Sequence, residues 1–142
     1  MNRDPATERV VPVVAAVVRS GDRFLLALRP EAKRHGGLWE FPGGKVASGE
    51  TEPEALAREL QEELGLSEVR TGRHLCSVRD PGSVFEIRFW EVEVQGEVVA
   101  LEHEALRFCR LDEALEMPLA PADRQFLESE ASEALTEETG SA

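Results

Sequence analysis

Acidic side chains cluster on one face of a helix predicted near the middle of the chain. Glu59, Glu62 and Glu63 lie three and four residues apart, so they share that face. Like charges one turn apart cost a helix roughly 0.2–0.5 kcal/mol unless something neutralises them. Clustered carboxylates with room for water and phosphate suit Mg²⁺ or Mn²⁺. The face is either a solvated acidic surface or a divalent metal site for a polyphosphate.

The segment before the helix favours the metal site. The run Phe41-Pro42-Gly43-Gly44 is an aromatic-Pro-Gly-Gly turn, and a second glycine-containing loop leads into the helix. Arg58 also lies on the acidic face, although Glu54 could hold it in an ordinary helical salt bridge. These features together predict a site for a phosphorylated ligand.

The net charge of −12 limits the class of ligand. Phosphate backbones require Lys and Arg, so we expect no polymeric nucleic acid partner. A small phosphorylated substrate is compatible with this charge when divalent cations lie between it and the carboxylates. The scattered histidines and the two distant cysteines indicate neither a zinc site nor a disulfide framework.

Hydrophobic periodicity and turn residues define the elements that position the acidic helix. Thr51 to Leu64 has a capping box, an early proline and a stripe of leucines at i, i+4 spacing, and Gly65 ends it. Strands are predicted at residues 10–18, 23–29, 38–41, 69–78, 83–94, 98–101 and 106–111. Further short helices are predicted at residues 112–117 and 121–127. This pattern favours an α+β fold with a mixed sheet between helical layers.

Length and composition indicate one domain. The 142 residues are 42% hydrophobic, which suffices for a single core at residues 10–127. We expect residues 1–9 to be flexible and residues 128–142 to form an acidic, partly disordered tail. Without a membrane-spanning run or a signal-peptide core, the sequence predicts a soluble cytoplasmic protein with no membrane partner.

The spacing of the glycine, glutamate and arginine residues resembles that of a known family. Gly44, Glu50 and the run from Arg58 to Leu66 match the Nudix box GX5EX7REUXEEXGU at every fixed position. The run Leu38 to Lys45, LWEFPGGK, resembles the MutT branch, whose members remove pyrophosphate from nucleoside triphosphates, often oxidised ones. The resemblance extends more weakly from Val10 to Leu127. It implies a Nudix-like α/β/α sandwich, Mg²⁺-dependent hydrolysis to a nucleoside monophosphate and pyrophosphate, and a monomer or homodimer.

The resemblance also implies roles for individual residues. The implied ligands of the divalent ion are Glu59, Glu62, Glu63 and the backbone carbonyl of Gly43. Glu50 would pair with Arg58 and lock the loop against the helix, which keeps the ligands in position. Glu59 or one of its neighbours would take the proton from the attacking water.

Residues outside the box complete the implied site. Glu102 matches the place of a further metal ligand or base, with Glu104 as a rival and an exposed acidic turn as the alternative. Arg29 and Lys45 correspond to basic residues that face the phosphates, although a surface Arg at a strand end is commonplace.

Three residues bear on the base of the substrate. Asp123 stands where the MutT pattern has Asn, and an ionised Asp only accepts hydrogen bonds, so it argues against an oxidised purine. It would suit the amino groups of cytosine or adenine, or a guanine edge with two donors. Asp123 is equally well placed to be the N-cap of the last helix. Phe41 could stack on a base or belong to the core, as could Trp39.

Two further functions are compatible with the sequence. The box specifies diphosphate chemistry and not the attached group, so a nucleoside diphosphate-sugar is an alternative substrate. A nucleotide-binding module without turnover is an alternative of another class. That module would be expected to lack a ligand carboxylate, and this sequence retains them all.

Overall fold

The computed structural model describes residues 10–137. The strands are β1 (Val11–Ser20), β2 (Arg23–Leu28), β3 (Trp39–Glu40), β4 (Gly43–Lys45), β5 (Glu68–Arg79), β6 (Phe85–Gln95) and β7 (Ala105–Cys109). The helices are α1 (Glu52–Leu64), α2 (Leu111–Leu115), α3 (Pro121–Leu127) and a 3₁₀ helix (Glu130–Thr136).

Strand β1 is the centre of the sheet. It runs parallel to β6 from Val11↔Phe85 to Val18↔Val92, and β5 lies antiparallel on the far side of β6. The β1–β2 hairpin is paired only near its turn, at Arg19↔Phe24 and Ser20↔Arg23. Beyond that point β1 pairs with β4, while β2 pairs with β3 and β7. The sheet is therefore mixed, as predicted.

Both faces of the sheet are covered by helices. Alternate residues of β1 point to opposite faces, so its near-continuous apolar run is buried on both sides. On one face Leu56, Leu60 and Leu64 of α1 are fully buried. Burial of each leucine stabilises the fold by about 1.5–3 kcal/mol. The other face packs against α3 and the 3₁₀ helix, which gives the expected α/β/α sandwich.

The capping residues of α1 agree with the sequence. Thr51 is the N-cap: the Thr51 hydroxyl accepts from Glu54 N at 3.2 Å, and the Glu54 carboxylate accepts from Thr51 N at 2.8 Å. Gly65 ends the helix in the left-handed conformation, with φ of 72°. Glu54 thus caps the helix, and the observed partners of Arg58 lie elsewhere.

Residues 98–101 are not a strand, which corrects the sequence prediction. The N–H groups of Val99 and Leu101 donate to the carbonyls of Leu64 and Glu63, each at 3.0 Å. These carbonyls lack partners within α1 because they lie in its last turn. The segment therefore caps the helix instead of extending the sheet.

The start of the acidic tail also differs from expectation. Residues 130–136 form the 3₁₀ helix, and Leu135 is only 1% exposed. Arg19 donates to the carbonyls of Ala134 at 2.7 Å and Leu135 at 3.2 Å. One buried leucine and one buried arginine thus hold a segment whose composition alone indicated disorder. The predictions for residues 1–9 and 138–142 lie outside the described residues.

No helix between residues 10 and 137 is long and apolar enough to cross a membrane.

Candidate active site

Two consecutive glycines of β4 lie against the acidic face of α1. Gly43 and Gly44 pair with Ala15 and Val14 of β1, and this pairing fixes their position relative to α1. A Cβ added to Gly44 would lie 2.2 Å from Glu59 Oε2. Only glycine lets this carboxylate approach the strand so closely.

Arg58 holds the loop before α1 against the helix. Its Nε donates to Glu50 Oε2 at 2.8 Å and its Nη2 donates to Glu50 Oε1 at 2.9 Å. Such a bidentate pair is both strong and directional. Nη2 also donates to the Lys45 carbonyl at 3.0 Å, and Nη1 to Glu59 Oε2 at 3.1 Å. The hydrogen bonds from Arg58 lower the pKa of Glu50 to about 2, so this carboxylate is charged at neutral pH.

The buried end of the cluster is Glu63. It is 4% exposed and accepts weakly from Gly43 N at 3.4 Å. Burial, together with the hydrogen bond and negative charge of Glu59, raises its pKa to about 9. Two carboxyl groups in contact need either a proton or a cation between them.

This donor set fits a divalent cation. Carboxylate oxygens of Glu59 and Glu63 converge next to the glycine strand, and hard oxygen ligands suit Mg²⁺ or Mn²⁺. Within residues 10–137, however, no three His, Cys, Asp or Glu side chains are already arranged around a common point. Glu62 is exposed, and its nearest charged partner is Arg58 Nη1 at 3.4 Å. Glu102 is also exposed, on the loop that caps α1.

His103 is the site residue that sequence reasoning missed. Its side chain is 6% exposed, and Nε2 lies 3.0 Å from Glu40 Oε2 and 3.8 Å from Glu63 Oε1. Arg29 binds the same Glu40 carboxylate through Nη1 at 3.2 Å. No spacing rule links these residues, because they come from four separate segments. The only signal in the sequence was the adjacency of His103 to Glu102.

The two predicted phosphate-binding residues have partners within the protein. Arg29 is bound to Glu40 and also donates from Nε to the Arg34 carbonyl at 2.6 Å. Lys45 is exposed, and its Nζ lies 5.1 Å from the centre of the Phe85 ring. Both lie on strands or strand ends that border the acidic cluster.

Asp123 is not the N-cap of the last helix, which corrects one of the two sequence interpretations. The N-cap of α3 is Ala120, and Asp123 is the third residue of the helix. Asp123 is 7% exposed, and its Oδ1 accepts from Phe41 N at 3.0 Å. Burial raises its pKa to about 8, and the charges of Glu40 and Asp80 contribute to this rise.

Phe41 belongs to the core. Its ring packs on Phe24, Phe89 and Phe126, with centroid distances of 5.5, 5.7 and 5.6 Å. The backbone N–H of Phe41, and not its ring, thus lies near Asp123. Trp39 fixes this arrangement, because its N–H donates to the Pro118 carbonyl and its carbonyl accepts from Ala120 N.

A mixed sheet between helical layers, with a carboxylate helix against a glycine strand, forms a site suited to holding a divalent cation beside a phosphorylated ligand. The family model described as the NUDIX domain matches residues 9–129, and the chain belongs to that family.

A relative and two solved structures are similar over most of the chain. The CTP pyrophosphohydrolase of Escherichia coli K12 is 42% identical over 124 residues, which are 85% of this chain and 91% of the relative. The solution structure of the E. coli ORF135 protein has a TM-score of 0.80 and 41% identity, covering 94% of this chain and 95% of that one. The crystal structure of the MutT protein from Methanosarcina mazei Go1 has a TM-score of 0.74 and 27% identity, covering 90% and 96%. The chain is thus a MutT-like Nudix hydrolase.

Proposed function

We propose that this enzyme hydrolyses a nucleoside triphosphate to a nucleoside monophosphate and pyrophosphate with Mg²⁺, and that cytosine nucleotides are its preferred substrates. The observation that carries this proposal is that the acidic cluster and the buried Asp123 contact the same short segment, residues 41–43. The acidic cluster lies at Gly43, and the buried Asp123 contacts the backbone of Phe41, two residues earlier. Two residues of extended chain span at most about 7 Å. A single nucleotide could therefore contact both.

A bound divalent cation would neutralise phosphate charge and polarise the phosphoryl oxygens. Mg²⁺ is proposed over softer metals because every donor in the cluster is an oxygen. Glu59, Glu62, Glu63 and the Gly43 carbonyl would hold it. Mn²⁺ has the same ligand preferences and should substitute.

The remaining residues of the box would orient these ligands and move a proton. Arg58 and Glu50 hold the loop at Lys45 against α1, so the carboxylates stay in position while substrate binds. Glu59 would accept the proton of the attacking water. The contact between Glu59 and Glu63 supports this role, because the pair accommodates a proton in the absence of a cation.

Asp123 would read the base. An ionised Asp can only accept hydrogen bonds, but a pKa of about 8 keeps this buried carboxyl largely protonated near neutral pH. A protonated carboxyl donates through one oxygen and accepts through the other. Cytosine presents N3 as an acceptor next to the N4 amino donor, which complements such a pair. The similarity to a CTP pyrophosphohydrolase supports the same base.

Arg29 and Lys45 would face the phosphates beyond the metal. Each borders the cluster, and each has a protein partner that a triphosphate could replace. Glu102 would approach the ion or the attacking water from the loop that caps α1. The partner of the protein in this proposal is a small nucleotide, in keeping with its net charge of −12.

Product analysis tests the proposal. The enzyme is incubated with normal and oxidised nucleoside triphosphates and with nucleoside diphosphate-sugars, with and without Mg²⁺. We expect metal-dependent release of CMP and pyrophosphate from CTP or dCTP at higher kcat/KM than from the other bases. Release of a nucleoside monophosphate and a sugar phosphate would move the assignment to diphosphate-sugars. Equal rates for all bases would contradict the role of Asp123.

A further inference from the structure

The side chain of His103 is buried, but its hydrogen bonds are incomplete. Its Nδ1 has no hydrogen-bond partner among the described residues, although the atom is shielded from solvent. Buried polar groups are nearly always paired, so an unpaired one calls for an explanation. The explanation lies with the other ring nitrogen.

The environment of Nε2 identifies the tautomer. Glu40 Oε2, 3.0 Å away, belongs to a carboxylate that also accepts from Arg29, so it offers an acceptor and no proton. Nε2 must therefore carry the hydrogen and donate it to Glu40. Glu63 Oε1 lies 3.8 Å from the same nitrogen, on the side of the acidic cluster.

The backbone around His103 forms a loop over the end of α1. Residues 97–104 are tied to the helix by the N–H groups of Val99 and Leu101, and to β2 by a bond from Glu104 N to the Leu28 carbonyl at 2.9 Å. Between these ties, the side chain of His103 points inward and that of Glu102 is exposed. The contact from His103 to Glu40 is the side-chain anchor of the loop at this point.

We propose that His103 is a positioning residue of the metal site: its Nε2–H binds Glu40 and fixes the 97–104 loop, and with it Glu102, relative to Glu63. The inference rests on the proposed function, because it takes the acidic cluster to be the metal site. His103 itself touches neither metal nor substrate. Residues of this kind typically contribute about 10–100-fold to metal affinity or activity.

The test compares two amides in place of the imidazole. Gln can place its side-chain nitrogen where Nε2 lies, whereas the shorter Asn reaches only the position of Nδ1. His103→Gln and His103→Asn therefore differ in whether they can donate to Glu40, while both are polar and neutral. His74→Asn is the matched control, since His74 is exposed on β5 with its ring beside Trp90.

Mn²⁺ binding without nucleotide, followed by electron paramagnetic resonance, gives a readout that is independent of turnover. We expect His103→Asn to weaken Mn²⁺ binding and to lower kcat at limiting Mg²⁺ by about 10–100-fold, with KM for CTP changed less than about threefold. His103→Gln should stay within about threefold of wild type, as should His74→Asn.

Two results would overturn the proposal. His103→Asn could bind Mn²⁺ and turn over CTP like wild type, or His103→Gln could lose as much as His103→Asn. If thermal unfolding shows that His103→Asn does not fold, Glu40→Ala removes the acceptor of this hydrogen bond from the other side. Wild-type Mn²⁺ affinity in Glu40→Ala would then refute the role of His103. A wild-type protein that neither binds Mn²⁺ nor turns over nucleotides would refute the proposed function, and this inference with it.

Discussion

Replacing Asp123 by Asn should change how the stability of the protein depends on pH. The carboxyl of Asp123 is buried, and its pKa rises from the ordinary 3.8 to about 8 in the folded protein. As pH rises above 4, the unfolded chain loses this proton while the folded protein keeps it. Unfolding therefore becomes more favourable between pH 4 and pH 8. Asn keeps the shape and the acceptor for Phe41 N but has no proton to lose.

The size of the effect follows from the two pKa values. One pKa unit corresponds to about 1.4 kcal/mol. Between pH 5 and pH 8 the wild type should therefore lose on the order of 2–4 kcal/mol of stability relative to Asp123→Asn. Burial of Glu63 adds a pH dependence of its own, but this is common to both proteins and cancels in the difference.

Urea unfolding at pH 5, 6.5 and 8, with chelator present, measures this difference. Asp112→Asn is the control, because Arg110 Nε donates to that exposed carboxylate and lowers its pKa, so its charge does not change over this pH range. Its free energy of unfolding should follow wild type. Parallel curves for Asp123→Asn and wild type would refute the buried, protonated carboxyl, and with it the proposed pairing to cytosine.

Three further predictions concern the Arg58–Glu50 pair, the glycines of β4 and the 3₁₀ helix. Arg58→Ala should lower kcat/KM for CTP by about 10–100-fold and raise the Mg²⁺ concentration required for activity. Arg58→Lys should not restore activity, because Lys cannot bind Glu50 in bidentate fashion. A fully active Arg58→Lys would contradict this role. Gly44→Ala should displace Glu59 and weaken Mn²⁺ binding by about tenfold or more, whereas Gly72→Ala on β5, where a Cβ meets only Glu91 of β6, should leave binding intact. Leu135→Ala should cost about 2–4 kcal/mol in urea unfolding, against less than about 0.5 kcal/mol for the exposed Leu101→Ala. Equal costs would show that the 3₁₀ helix is not part of the folded unit.

The parts of the site that depend on short spacings were predictable from sequence. Glu50, Arg58 and the α1 carboxylates lie within one loop and one helix, so the period of the helix and the caps at Thr51 and Gly65 define their geometry. The sequence predicted a mixed sheet, but it did not predict the order of the strands in it. The parallel pairing of β1 with β6 joins residues more than seventy positions apart, which no local pattern encodes.

The errors came from contacts between distant segments. Residues 98–101 form a short apolar run typical of a strand, but the N–H groups of Val99 and Leu101 bind carbonyls at the end of α1 instead of a strand edge. Asp123 was a good candidate for the N-cap of the last helix, because Asp is favoured at that position. However, Pro121 begins the helix earlier, because proline is favoured in the first turn. His103 was missed because its partners, Glu40 and Glu63, come from β3 and α1.

The most direct test of the central claim is the Mg²⁺ dependence of CTP hydrolysis in wild type and in Glu62→Gln. Glu116→Gln, an equal loss of charge at an exposed position beyond α2, is the control. We predict that wild type and Glu116→Gln release CMP and pyrophosphate only with Mg²⁺. Glu62→Gln should keep its fold and lose at least a hundredfold in kcat at saturating metal. Near-wild-type turnover by Glu62→Gln would contradict the assignment of the α1 carboxylates as the metal site.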